Sequence, residues 1–145
     1  MKRLVLLIAV CATVLCGCKE NVANFTGKYS GVFSTTRSEE NFSLDTASTV
    51  MITQVSENSN DLVLQQCFPL TEVESASYEF SEKNELTDEM VEALYQMCGI
   101  NEHYFTNDIT HVQISARFYS ATIAIKIRFA SYNGYIGIST FTGSK

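Results

Sequence analysis

Residues 111–142 read HVQISARFYSATIAIKIRFASYNGYIGISTFT. Asn133-Gly134 between Tyr132 and Tyr135 carries the signature of a two-residue type I′ hairpin. That turn would pair Phe129 with Ile138, Ser131 with Ile136 and Ile127 with Thr140. Upstream, a two-residue turn at Ser120-Ala121 pairs Phe118 with Ile123, Ala116 with Ile125 and Ile114 with Ile127. Both registers gather Val112, Ile114, Phe118, Ile123, Ile125, Ile127, Phe129, Ile136 and Ile138 on one face. Gln113, Arg117, Lys126 and Arg128 fall on the other. A slip of one residue turns a whole strand over, so the agreement of two hairpins predicts three antiparallel strands with one buried face.

Strand and turn signals continue upstream. Phe25, Tyr29 and Phe33 share one face of an opening strand, and residues 35–47 are Ser/Thr/Glu-rich and read as a loop with room for a short strand about Phe42 and Leu44. Residues 49–56 and 61–68 form a hairpin about Glu57-Asn58-Ser59-Asn60. Pro69, the only proline, ends the second of these strands, because it has no N–H to give a ladder. Tyr78 and Phe80 mark another short strand. One helix is expected over 88–98: Thr87 caps it, Asp88 and Glu89 suit the positive end of its dipole, and Gly99 stops it. Met90, Leu94, Met97 and Cys98 form its packing face. The expected fold is mainly β, with seven or eight antiparallel strands and one short helix, as a small barrel or a strongly curled sheet. Closure removes exposed edges. A segregated α+β arrangement is the alternative.

The other end of the chain carries a different signal. Met1-Lys2-Arg3 is followed by an apolar run from Leu4 to Leu15. A charged start and an apolar run of this length are the layout of a secretory signal. As a helix the run would be ~18 Å long, short of a ~30 Å hydrocarbon core. Leu15-Cys16-Gly17-Cys18 resembles the lipobox of bacterial lipoproteins: an aliphatic residue, two small ones, then the cysteine that is lipidated. The resemblance implies a signal peptide of residues 1–17, a diacylglyceryl thioether on Cys18, acylation of the new amine, and a lipidated tether of residues 18–24 before a single domain of 25–145. Each buried methylene contributes ~0.8 kcal/mol, so two or three chains hold firmly. Lys19, not aspartate, follows the anchor, which implies the outer membrane of the cell envelope.

Loss of the leader leaves 128 residues, enough for one domain. It also leaves 8 bases against 16 acids, a formal charge of −8. That balance excludes nucleic acid and anionic lipid, which need a basic surface. Eight acids (Glu72, Glu74, Glu79, Glu82, Glu85, Asp88, Glu89, Glu92) fall within 21 residues. They lack the regular ligand spacing of a calcium loop and read as a solvated face. Two cysteines remain after the anchor, Cys67 and Cys98. In an exported chain they read as one disulfide, worth ~3.7 kcal/mol by loop-closure entropy. Free buried thiols are the alternative.

Gly27-Lys28-Tyr29, inside Phe-Thr-Gly-Lys-Tyr-Ser-Gly, resembles the opening strand of calycin-like and lipocalin-like lipoproteins. Those proteins place Gly-x-Trp there and pack a later basic residue over the aromatic. Here the aromatic is Tyr29, and the last strand, read as Tyr135 to Thr142, contains no arginine. The resemblance implies a barrel able to hold a small apolar ligand, with Tyr29 at its base. No catalytic or cofactor pattern appears. His103, His111 and Asp108 supply suitable side chains, but no motif places them for acid/base work, and His-x7-His is not a zinc spacing. The expectation is a binding protein and not an enzyme: a module for a small apolar ligand, or an envelope lipoprotein that binds or inhibits a protein through its surface. Tyr119, Tyr132 and Tyr135 near hairpin ends would serve the second role, since tyrosine is enriched at interfaces.

Overall fold

The structure is a computed structural model and describes residues 21–37, 42–80, 86–100, 109–131 and 134–145. Eight strands follow one another around a closed antiparallel barrel: β1 (Gly27–Arg37), β2 (Ser43–Gln54), β3 (Leu62–Leu64), β4 (Phe68–Glu74), β5 (Ser77–Phe80), β6 (His111–Tyr119), β7 (Thr122–Ser131) and β8 (Gly134–Ser144). β8 returns to β1 and pairs from Ser30↔Ser144 to Arg37↔Gly137. The single α-helix among the described residues, α1 (Asp88–Cys98), lies between β5 and β6. A meander of this kind puts its odd and even turns at opposite ends. One end, the base, carries the β2–β3, β4–β5 and β6–β7 turns. The other, the top, carries α1.

The hairpin at Ser120-Ala121 has the expected register, with Phe118↔Ile123, Ala116↔Ile125 and Ile114↔Ile127. Ser120 makes the turn at φ 50°. Val112, Ile114, Phe118, Ile123, Ile125, Ile127 and Phe129 are all buried inside the barrel. The second hairpin differs from expectation by one residue. Ser131 pairs with Gly134, and after a bulge Phe129 pairs with Gly137 and Ile127 with Ser139. The inward residues of β8 are therefore Gly137, Ser139, Phe141 and Gly143, while Ile138 is 36% exposed. The side chain of Ile136 lies outside the described residues. Eight strands enclose little room, and the bulky Ile125, Ile127 and Phe129 of β7 face small residues or Phe141 across the pair. Isoleucines facing them on β8 would overfill that space.

Other expectations also shift. Residues 35–37 and 43–47 belong to β1 and β2, so most of the assigned loop is strand; Thr36, Ser43 and Asp45 are exposed, while Thr35 is buried inside the barrel. The assigned strand 61–68 breaks after Leu64, where Gln65 and Gln66 turn at φ 50° and 62°. Pro69 lies inside β4, opposite Val63. The described pairing of β4 with β5 reaches only Leu70↔Phe80, so Pro69 sits beyond that ladder. Helix α1 matches its sequence closely: Thr87 Oγ1 accepts from Met90 N at 3.3 Å, and Gly99 takes φ 66°.

The base is sealed by the chain's own N-terminal turn. Val22–Phe25 form a 3-10 turn capped by Asn21, so Phe25 precedes the opening strand instead of lying in it. Its ring stacks on Phe118 at 4.5 Å and meets Tyr78 edge-on at 6.2 Å. Tyr29 Oη donates to Phe25 O at 2.9 Å. Lys145 Nζ lies 5.2 Å from the centre of the Tyr29 ring and donates to Asn24 O. Lys145 lies three positions beyond Thr142, where the last strand was read to end.

Candidate functional site

The barrel interior and its outer wall offer very different chemistry. Inside, rings meet one another across the strands. Phe33 and Phe141 lie 4.7 Å apart, Phe68 and Phe80 5.5 Å, and Tyr78 and Phe118 5.6 Å. Aromatic pairs at 4.5–7 Å are in packing contact. At the top, α1 inserts Leu94, Met97 and Cys98, all buried. A side chain at Gly99 would collide with Thr46 on the inward face of β2. Beneath the helix end, Thr35 and Ser139 share a buried hydrogen bond of 2.7 Å. One polar atom inside is unsatisfied: Tyr78 Oη is buried without a hydrogen-bond partner among the described residues. Burial, with the Glu72 and Asp61 charges, pushes the Tyr78 phenol up to about 12.

Outside, the outward residues of β5 to β8 form a groove of about 380 Å³. Period-two alternation decides its lining. Ser115 and Lys126 are opposite one another, as are Arg117 and Ala124, and Lys126 in turn faces Thr140. Small side chains thus make a low floor between longer ones. Arg117 and Lys126 border it from adjacent strands, and Glu79, paired with Ser115, borders it from β5. Neither Arg117 nor Lys126 makes an ion pair among the described residues; the Arg117 guanidinium lies 5.7 Å from the centre of the Tyr119 ring. In a chain this acidic, two cations so placed stand out. The Ile/Lys/Arg alternation placed them on the outer face from sequence, but the groove depends on β5 coming alongside.

The residues singled out from sequence mostly do not converge. Cys67 and Cys98 are free thiols, which corrects the disulfide expectation. Cys67 sits at the β3–β4 turn close enough to Glu89 to feel its charge, whereas Cys98 hydrogen-bonds Ser139 at the other end of α1. Nine residues of helix separate Glu89 from Cys98, or ~14 Å at 1.5 Å per residue. A disulfide needs Cα atoms within ~7 Å. Burial holds both thiols protonated, pushing Cys67 up to about 11 and Cys98 to about 12. Tyr119 lies at the base turn of β6–β7 and is 53% exposed. Tyr132 and the side chain of Tyr135 lie outside the described residues. So do Cys18, His103 and Asp108. His111 is exposed at the start of β6, its Nδ1 2.9 Å from Thr110 Oγ1. Among the described residues no group of three His, Cys, Asp or Glu side chains could hold a metal ion. No helix among them is long and apolar enough to cross a membrane.

Comparison with protein families and with curated proteins returns no match to this chain.

Proposed function

We propose that this chain is a bacterial envelope lipoprotein, held in the outer membrane by acyl chains on Cys18, and that its calycin-like barrel binds a protein partner through the outer wall of β5–β8. The anchor rests on the lipobox-like Leu15-Cys16-Gly17-Cys18. The calycin likeness draws on Gly27-Lys28-Tyr29 and is supported by Lys145 over the Tyr29 ring. The observation that carries the binding mode is the contrast between interior and exterior: rings in contact inside, and outside an open groove with two cations that lack ion-pair partners among the described residues. It suits an extended segment of an envelope protein laid across the strands. A carboxylate of that segment meets Arg117 and Lys126, the hydroxyls of Ser115 and Thr140 meet its backbone, and a basic group meets Glu79.

A photo-crosslinking residue in place of Ser115, in the acylated protein in cells, tests this. The expected result is one discrete adduct that disappears when Arg117→Glu and Lys126→Glu are combined in a protein still folded by circular dichroism. An adduct indifferent to charge reversal would sink the reading. Cys18→Ala, followed by detergent partitioning and the mass of the mature N-terminus, tests the anchor separately: a processed protein still in the membrane would overturn it.

A second reading, a small apolar ligand inside the barrel, is favoured by Tyr78 Oη alone. A buried hydroxyl left unpaired costs ~1–3 kcal/mol, and a ligand acceptor would relieve that cost. Native mass spectrometry decides it. A bound mass lost on Tyr78→Phe supports an interior ligand, and bare protein removes it.

A further inference from the structure

The large apolar side chains left exposed are not scattered. Five are exposed among the described residues, and the three most exposed are Val55 (56%), Val73 (55%) and Tyr119 (53%). Each belongs to a different base connection. Val55 opens the β2–β3 turn, where its N–H bonds Asp61 O at 3.1 Å. Val73 is the bulged residue just before the β4–β5 turn. Tyr119 closes the β6–β7 turn against Thr122. All three turns of the base thus carry one, although turns exposed to water are ordinarily polar.

The covalent path of the chain leads to the same end. The 3-10 turn of Val22–Phe25 plugs the base, and Lys145 ties Asn24 down beside it. Cys18 precedes Asn21 by three residues. Even fully extended, three residues reach only ~10 Å. Acyl chains on Cys18 would hold the base within that distance of the lipid, whereas the top is a whole strand length away.

We infer that the base is the face that lies against the lipid surface, with Val55, Val73 and Tyr119 entering the headgroup region. This rests on the anchor at Cys18. The chemistry suits a zwitterionic surface. Tyrosine places its ring in the interface and its hydroxyl in water. Glu57, Asp61 and Glu74 on the same turns would oppose an anionic surface. Three small apolar contacts are weak alone; the tether makes them effective by keeping their local concentration high. The outer-wall groove, whose lower border includes Val73 and Glu74, then opens sideways just above the membrane, and α1 faces away from it.

The test uses the mature acylated protein, isotopically labelled, in phosphatidylcholine nanodiscs doped with a nitroxide headgroup lipid. Amides of Ser56, Ala76 and Ser120 should lose their signals, while those of Thr36, Ser43 and Ile138, which pair at the top, persist. Replacing Val55, Val73 and Tyr119 by serine should shrink the difference to what the tether alone imposes, and Val32→Ser, midway up β1, should leave it unchanged. Equal broadening at both ends, or stronger broadening at the top, overturns the inference. Intact mass of the same sample shows whether Cys18 is acylated, so failure of the anchor is distinguished from failure of the orientation. If acylation is absent, attachment of a polyhistidine tag in place of residues 1–18 to nickel-chelating lipid repeats the measurement with the same two outcomes.

Discussion

The strands β6, β7, β8, β1 and β2 run for nine to twelve residues, whereas β3, β4 and β5 run for three, seven and four. The five long strands are neighbours, and their inward side chains fill most of the interior. The three short ones make a low wall that reaches only part of the way up. β2 shows the consequence: only Ile52 to Gln54 find partners on β3, so its upper half lacks a strand on that side. Helix α1 packs on β2 and β1, and its buried face, Leu94, Met97 and Cys98, takes the place of missing strand. One half of the barrel is thus held by its ladder, and the other depends on an added layer.

That difference can be broken most severely in the tall wall. Ile127 is completely buried on β7, and Arg128 beside it is exposed. Ile127→Asp should unfold the whole domain, because a buried unpaired carboxylate costs more than a marginal fold can spare. Arg128→Asp should change stability by under ~0.5 kcal/mol. Thermal melts of the two variants check this, and similar midpoints would mean that β7 is turned over. Damage to the low wall should be smaller and local. Leu94→Ala removes a fully buried side chain of α1, at a cost of ~2–5 kcal/mol. Hydrogen exchange should then quicken in α1 and β3–β5 before it does in β6–β8. Loss of protection at one rate throughout would show that the two halves form one cooperative unit.

The smallest effect lies where the helix meets the tall wall. Burial pushes Cys98 from 9.0 up to about 12. The unfolded thiol ionises first, so the stabilising contribution is complete below pH 9 and is lost as pH rises from 9 towards 12. Cys98→Ala should make the alkaline decline in melting temperature shallower across that window. An unchanged slope would place the ionisation elsewhere, with Tyr29 and Tyr78, both pushed up to about 12, the next candidates. In the denatured, unreduced mature protein both Cys67 and Cys98 should alkylate. A mass showing neither modified would restore the disulfide.

How much of this was legible in the sequence followed the same division. β6, β7 and the Ser120-Ala121 turn were read in register, and α1 to the residue, because local rules operate there: period-two alternation in one case, capping and helical period in the other. At Asn133-Gly134 the local turn signal named a hairpin in the right place but the wrong register, since a bulge nearby shifted the pairing. The candidate groove was half legible. Alternation placed Arg117 and Lys126 outward, yet nothing local joined Glu79 to them, because β5 and β6 are separated by α1.

From sequence alone came the strand period, the helix with its caps, the acidic charge and the lipobox-like start, each set by residues within a few positions of one another. The tertiary structure decided what depends on distant partners. β8 had to find β1 to close the barrel. Lys145 had to meet Tyr29, and Phe25 had to meet Phe118. Cys67 and Cys98 were kept apart by the length of the helix between Glu89 and Cys98. Such contacts form across the whole chain, and which of them can coexist depends on the space eight closed strands enclose.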